Sequence, residues 1–488
     1  MNTLFASSEV YPLIKTGGLA DVSGSLPRAL AQNKQDVRLI LPAYQSVLAR
    51  LKTVKRVAQT RHYDHDVEIL QSTLPGSRLK ILLVSCPALF DRPGNPYLDE
   101  TGKEWSDNAL RFALFCQVVV DVAMNRLGLD WAVDVVHCND WQTALVPALL
   151  QNFVQRPATV FTIHNLAYQG LYPKQTFIDL GLPGELWTHQ GVEFHDNFSF
   201  IKGGLNFADR INTVSPQYAL EVQTDEFGFG LEKLLQYRAG RLSGILNGID
   251  TEVWNPATDA YLVQKYNRRS LSKKTVNKLA LQQHYGLSEG SEIPMIGLVS
   301  RLVEQKGLDL ILQAISGLIK LPLQWVFLGS GAAQYETELQ ALATAHPQSV
   351  AVTIGYDEQL AHQIEAACDL YLMPSLFEPC GLNQLYSLRY GTIPLVTKVG
   401  GLADSVIGFS QETSSDQTAT GFDMAHKTAA SLVETLRLAL DVYRQKEVWS
   451  QLQLNAMQQD FSWKKSAADY IELYRLALLD SQQELVRE

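Results

Sequence analysis

The chain has 488 residues, of which 46% are hydrophobic and 19% charged, with a net charge of −10. That length exceeds one ordinary core and points to two to four domains, and the composition is that of a globular, soluble chain. The acidic balance argues against nucleic acid or an anionic membrane surface as a partner.

In chain order, the first residues carry no basic region ahead of an apolar stretch. Glu9 and Pro12 interrupt it, so no signal peptide is expected. A strand-like segment begins at once, so no transit peptide is expected. Cys86, Cys116, Cys138, Cys368 and Cys380 are odd in number, widely spread and form no CxxC pair. That is the pattern of reduced thiols in a cytoplasmic protein, not of a disulfide framework or a zinc site. No run of 18 apolar residues suggests a membrane span.

Short runs rich in Val, Ile and Leu alternate with longer helical patterns. TLFASS, DVRLILP, KILLVS, DVVHCND, ATVFTIHN, RINTVS and GILNG read as strands in the first half. PMIGLVSRL, LQWVFLGSG, VAVTIGY, CDLYLMPS and IPLVTK read as strands in the second. Helical stretches between them include NALRFALFCQVVVDVAMNRLG, KGLDLILQAISGLIK and YETELQALATA. Strands apolar on both faces and separated by helices predict doubly wound α/β architecture with parallel sheets covered on both sides. The seam falls at 241–259, where Gly, Asn and Pro cluster. The expected division is 1–248, then 249–460, with 461–488 a final helix crossing back to the N-terminal domain.

In open α/β sheets, ligands bind beyond the carboxyl ends of the strands. KTGGLADV follows the first strand, so Gly17 and Gly18 give bare backbone at a helix start and Lys15 adds a cation. A tight turn with a solvated lysine fits the same residues. Arg301 and Lys306 follow PMIGLVS; they suit either a diphosphate clamp or salt bridges to Glu304 or Asp309. Glu378, in LFEPCGLNQLYSLRYG, either caps a helix or meets sugar hydroxyls and developing positive charge. Asp140 and His164 end two strands of the first half, and Tyr356 one of the second, where it either packs or stacks on a purine. His137, Asp140 and His164 match no metal-ligand spacing; no metal is expected, and His137 reads as buried in its strand. GGLAD recurs in KVGGLADS, residues 398–405.

KTGGLADV, HCNDWQTALVP, FTIHNLAYQG, LNGID…WNP, SRLVEQKGLDL, IGY, FEPCGLNQLYSLRYG and KVGGLAD together resemble the bacterial glycogen synthase and plant starch synthase family, glycosyltransferase family 5. They run in family order over about residues 1–480. The resemblance implies a glycosyltransferase B-type fold, two Rossmann-like doubly wound domains facing across a deep cleft. The N-terminal domain would be the acceptor side and the C-terminal one the nucleotide-sugar side.

It further implies a retaining transfer of glucose from ADP-glucose to the non-reducing end of an α-1,4-glucan: glycogen, starch or a maltooligosaccharide. No cofactor is implied. By motif, Lys15, Gly17 and Gly18 approach the donor diphosphate, and Arg301 and Lys306 hold its charge. Glu378 belongs to the donor glucose, with Cys380, Gly381 and Leu382 close by. His164 and Asn247 match residues near the glucose hydroxyls, Asp140 lines the reaction site, Gly355 and Tyr356 fit the nucleoside pocket, and Asp21 joins the donor site. Three positions depart from common patterns. Asn383 replaces Thr where the diphosphate is touched, HCNDWQ replaces HAHDWH, and Tyr386 stands where the wider superfamily has a second glutamate. The rival readings are another enzyme of the same architecture, such as a sucrose synthase or a glucan phosphorylase, the latter needing a lysine-bound pyridoxal phosphate, and an inactive glucan-binding scaffold.

Overall fold

The computed structural model describes residues 1–487, with side chains up to 483. The chain forms two compact units, Met1–Gly248 together with the chain from Trp463 onward, and Ile249–Ser462.

In the first unit, β1 (Asn2–Ala6), β2 (Asp36–Pro42), β3 (Lys55–His62), β4 (His65–Thr73), β5 (Lys80–Ser85), β6 (Val135–Asn139) and β7 (Ala158–Ile163) build most of one sheet. β8 (Leu171–Pro173), β9 (Glu193–Phe194) and β10 (Asn197–Ser199) form a small separate sheet. β11 (Arg210–Thr213) and β12 (Leu242–Gly244) return to the main one. Among the described residues the main sheet runs β12-β11-β7-β6-β1-β2-β5-β4-β3. β6 (VVHCN) and β7 (ATVFTI) are buried at every position, as strands covered on both faces require. The helix Gly18–Gln32 turns Leu19, Val22, Leu26 and Leu30 inward, one stripe at helical spacing.

Two expectations need correction. The sheet is not parallel throughout, because β4 runs antiparallel to both β3 and β5. GILNG is not a strand either. β12 ends at its first glycine, and the last bond to β11 is Ile245 N–H to Thr213 C=O, 2.9 Å. β11 has only four residues, so its partner runs out of backbone to pair with.

The final helix, from Trp463, is part of this core. Tyr474 Oη lies 2.8 Å from His137 Nδ1, Asn212 Nδ2 donates to Tyr470 Oη at 3.0 Å, and Asp480 pairs with Arg210 and Arg241. His137, fully buried, also meets Thr162 Oγ1 at 2.7 Å, and burial pushes its imidazole down to about 3.

The second unit holds β13 (Met295–Val299), β14 (Gln324–Gly329), β15 (Val350–Ile354), β16 (Leu370–Met373), β17 (Ile393–Thr397) and β18 (Phe422–Met424), all parallel, in the order β15-β14-β13-β16-β17-β18. Leu298, Trp325, Phe327 and Leu372 face the helix Leu308–Leu318 in its core.

In each unit the chain winds outward one way and then the other. The order reverses between β1 and β6 in the first unit and between β13 and β16 in the second. At such a switch point two consecutive loops diverge and leave a crevice at the carboxyl ends of the strands.

Candidate active site

In the first unit the loop after β1 is organised by a residue to which sequence reading gave no place in the site. Glu9, 2% exposed, accepts the Thr16 backbone N–H, the Thr16 hydroxyl at 2.6 Å and the Tyr97 hydroxyl at 2.6 Å. Burial raises its carboxyl above the usual carboxylate range, and these donors together with the Gly17 N–H pull it back. Glu9 thereby fixes the turn that leads into Gly18, the first residue of its helix. Lys15 Nζ meets Asp21 Oδ1 at 2.8 Å on the outer side of that turn, both side chains partly exposed. Gly17 has extended backbone, φ −157°, and a Cβ built there would meet nothing within 4 Å. Nothing inside this unit requires a glycine at that position.

Across the switch point, Asp140 follows β6 with φ 57° and ψ 179°, a region that is otherwise the territory of glycine. A non-glycine residue held there costs about 1–3 kcal/mol, and such strain clusters at functional sites. Its carboxylate accepts the His164 N–H at 2.7 Å and the Asn165 N–H at 3.4 Å. Burial pushes the Asp140 carboxyl up to about 7 against those donors. His164 Nε2 lies 3.0 Å from Asn139 Oδ1, while Asn139 Nδ2 donates to Ala6 C=O. The Asn139 oxygen is therefore the acceptor, so His164 carries its proton on Nε2 and presents a lone pair at Nδ1. Burial pushes this imidazole down to about 3, keeping it neutral. Asn247, 5% exposed, lies beyond β12, and its Oδ1 has no hydrogen-bond partner among the described residues.

In the second unit the loops after β13 and β16 are joined backbone to backbone. Leu376 N–H donates to Gln305 C=O at 2.8 Å, and Gln305 Nε2 to Phe377 C=O at 3.2 Å. Gly307 permits the contact: its φ is +72°, and a Cβ there would sit 2.1 Å from Pro374 O. This closure sets Lys306 Nζ 2.5 Å from Glu378 Oε2, which also accepts from Ser375 Oγ at 3.1 Å. Both donors act on Oε2, so Oε1 is left for another. Lys306 therefore does not bridge to Asp309, which instead accepts the Tyr335 hydroxyl. Glu378 is not a helix cap either; Leu382 precedes the helix Asn383–Tyr390 and gives no side-chain cap. Arg301 is exposed and reaches Gln305 Oε1 at 3.4 Å.

The second GGLAD supports this same loop. Gly401 N–H donates to Glu378 C=O at 3.1 Å, and Cβ atoms at Gly400 and Gly401 would lie 2.0 Å from Glu378 O and 2.1 Å from Cys380 O. Cys380 is buried, and Gly381, φ +69°, curves under Gln384, whose amide donates to Cys380 C=O at 2.9 Å and to Gly381 C=O at 3.1 Å. Leu382 closes this turn, half-buried. Asn383 commits both amide hydrogens inward, to Val299 C=O and Tyr371 Oη, so a ligand can reach only its Oδ1 or backbone. Gly355, φ +125°, donates to Gly329 C=O at 2.9 Å, and Tyr356 beside it is 71% exposed. Tyr386 is packing, stacked on Trp254 with ring centroids 3.7 Å apart.

The structure thus brings together Lys306 with Glu378, Asp140 with His164, and Lys15 with Asp21. It adds Glu9, Tyr97, Ser375, Gln305 and Gly307 as the residues that hold them. Only an acidic residue directly after an apolar strand marked Glu9 in the sequence. Its partner Tyr97 lies 88 positions away. Among the described residues, no group of three or more His, Cys, Asp or Glu side chains is placed to hold a metal ion, and no helix is long and apolar enough to cross a membrane.

Comparison with known proteins places the chain in a family. The starch synthase catalytic domain family matches residues 2–237, and the glycosyl transferases group 1 family matches residues 284–455. Glycogen synthase 1 of Methylococcus capsulatus is 53% identical over 98% of this chain and 97% of its own length. Glycogen synthase of Cellvibrio japonicus is 52% identical over 96% of this chain and 98% of its own. Among solved structures, the catalytic domain of starch synthase IV from Arabidopsis thaliana, bound to ADP and acarbose, superposes with a TM-score of 0.88 at 33% identity, covering 98% of this chain and 99% of that one. Sucrose-phosphate synthase of Thermosynechococcus elongatus, at 16% identity and TM-score 0.59, shares the fold. The chain belongs to the glycogen synthase and starch synthase family and is a glycosyltransferase of the B-type fold.

Proposed function

We propose that this enzyme moves glucose, with retention, from ADP-glucose to the non-reducing end of an α-1,4-glucan. The observation that carries the reading is the Lys306–Glu378 pair at the β13/β16 switch point, a cation and a carboxylate side by side where a ligand enters. Breaking a sugar–phosphate bond leaves negative charge on the departing diphosphate and positive charge on the anomeric carbon. Lys306 and Arg301 serve the first, and Glu378, through Oε1, serves the sugar. Lys15 and the bare Gly17–Gly18 backbone serve the diphosphate as well, with Asp21 holding Lys15 until the donor arrives. His164 Nδ1 and Asn247 Oδ1 accept from glucose hydroxyls. Gly355 and the exposed Tyr356 ring receive the nucleoside. ADP in the Arabidopsis relative supports adenosine as that nucleoside.

In the transfer, the bond from C1 to the β-phosphate breaks, and the acceptor hydroxyl bonds C1 on the same face. Its proton passes to the leaving phosphate. Asp140, as an anion, stabilises the positive charge at the reaction site. Transfer onto a glucan primer, measured with ADP-glucose and UDP-glucose side by side, tests the reading. Faster transfer from ADP-glucose is expected; binding of glucan with no transfer from either donor overturns it.

The pH dependence follows from Asp140. Its folded carboxyl titrates near 7, above its unfolded value, so the stability it contributes is present at acid pH and lost as pH rises through about 7. Activity runs the opposite way, because the anion is the working form. We expect kcat/KM to rise with pH along a one-proton limb near pH 7, and the limb to vanish in Asp140→Asn. An unchanged limb in that variant would remove Asp140 from this role.

A further inference from the structure

The second unit carries a concavity lined by none of the residues assigned above to the transfer. It has a volume of ≈ 670 Å³, and its lining joins the apolar Pro256, Leu454 and Met457 to Asn255, Asn267 and three arginines, Arg268, Arg269 and Arg389. Its size falls in the roughly 300–1,000 Å³ range of small-molecule sites. Among the described residues, no acidic side chain lines it. Arg268 Nη2 meets only the neutral Gln458 Oε1, at 3.2 Å. Arg389 Nε is buried without a hydrogen-bond partner. No ion pair joins any of the three guanidinium groups to a carboxylate among the described residues. In a chain with a net charge of −10, three arginines without a carboxylate partner therefore line one hollow.

Like charges so placed repel one another, and an orphaned buried guanidinium N–H is costly. A bound anion removes the repulsion. The fork of arginine donors matches the oxygens of a phosphate, while the apolar lining residues and the volume leave room for more than a bare ion. The place is also apart from the transfer chemistry. Arg389 is in the last turn of the helix Asn383–Tyr390 and Asn383 in its first, roughly 10 Å away at about 1.5 Å per residue.

We propose that this concavity is a second anion site that binds phosphate, held by Arg268, Arg269 and Arg389, with Pro256 and Met457 placed to take the organic body of a phosphate monoester. The site holds phosphate whether it comes free or on a small sugar, and the two sources are told apart by titrating each. The full chain, saturated with ADP, is titrated calorimetrically with inorganic phosphate and with fructose 6-phosphate. One equivalent should bind, and the affinity should fall at least about tenfold, about 1.4 kcal/mol, in Arg389→Gln and in the double variant Arg268→Gln/Arg269→Gln. Equal affinity for both probes assigns the site to free phosphate, and tighter fructose 6-phosphate assigns it to the monoester. Arg268 and Arg269 are exposed, so the double variant keeps the test standing even where Arg389→Gln fails to fold. No binding of either probe below about 10 mM, or binding that the double variant leaves unchanged, overturns the proposal.

Discussion

Replacing Lys306 by alanine is expected to lower kcat by roughly 10²–10³, about 3–4 kcal/mol of transition-state stabilisation. Two effects act together. The leaving diphosphate loses its cation, and Glu378, with 8% of its side chain exposed, loses the partner that makes its charge tolerable there. The carboxyl then takes a proton or draws in water, and neither state serves the sugar. Glu378→Ala should accordingly lower turnover more than donor affinity. Because the two side chains share one contact, the double variant should lose far less than the product of the single losses. Steady-state kinetics on all four proteins, with unfolding midpoints to confirm that each is folded, reads the whole cycle. Near-normal turnover in a folded Lys306→Ala protein would end the diphosphate assignment. Fully multiplicative losses would mean that lysine and glutamate work independently.

Alanine at Gly401 and alanine at Gly17 should have opposite consequences. At Gly401 the new Cβ falls 2.1 Å from Cys380 O and 2.5 Å from Cys380 Cα, and both are backbone atoms that no rotamer change can move. The 378–381 loop must shift, carrying Glu378 with it. A displacement of about 1 Å at a reacting group costs on the order of 10² in rate, and overpacking costs about 1–3 kcal/mol of stability. At Gly17 the new Cβ has open space and an extended backbone that any residue adopts. Its stability should stay within about 0.5 kcal/mol of the parent. Any loss of donor affinity there reports on the ligand's approach alone. Full activity in Gly17→Ala would show that the bare backbone is not needed, and full activity in Gly401→Ala that the loop does not depend on this brace.

The central strands were legible because they are apolar on both faces; LQWVFLG has no other comfortable place than mid-sheet. The β3–β4 hairpin was not. KRVAQTRH and HDVEILQST are half polar, as a sheet edge with one solvated face demands. The two-residue turn that joins them, Tyr63-Asp64, takes positive φ at both positions without the glycine that usually announces it. The site divides in the same way. Strand, charge and helix follow one another locally, so Lys15, Asp140, Arg301, Lys306 and Glu378 could be placed at the correct ends of strands. Which of them touch is set by crossovers; Lys306 and Glu378 are 72 positions apart. The strain at Asp140 left no trace at all, since nothing in CND distinguishes a left-handed aspartate from a relaxed one.

The membership of the last helix in the first unit sets an order of events during synthesis. Residues 1–248 leave the ribosome with the face carrying His137 and Asn212 still uncovered, because Tyr474 and Tyr470 have not been made. At about 5–20 residues per second, the intervening 249–462 take roughly 10–40 s to translate. The second unit is continuous in sequence and can complete its core within that interval. The half of the enzyme that begins first therefore finishes last, and in the meantime that face stays open.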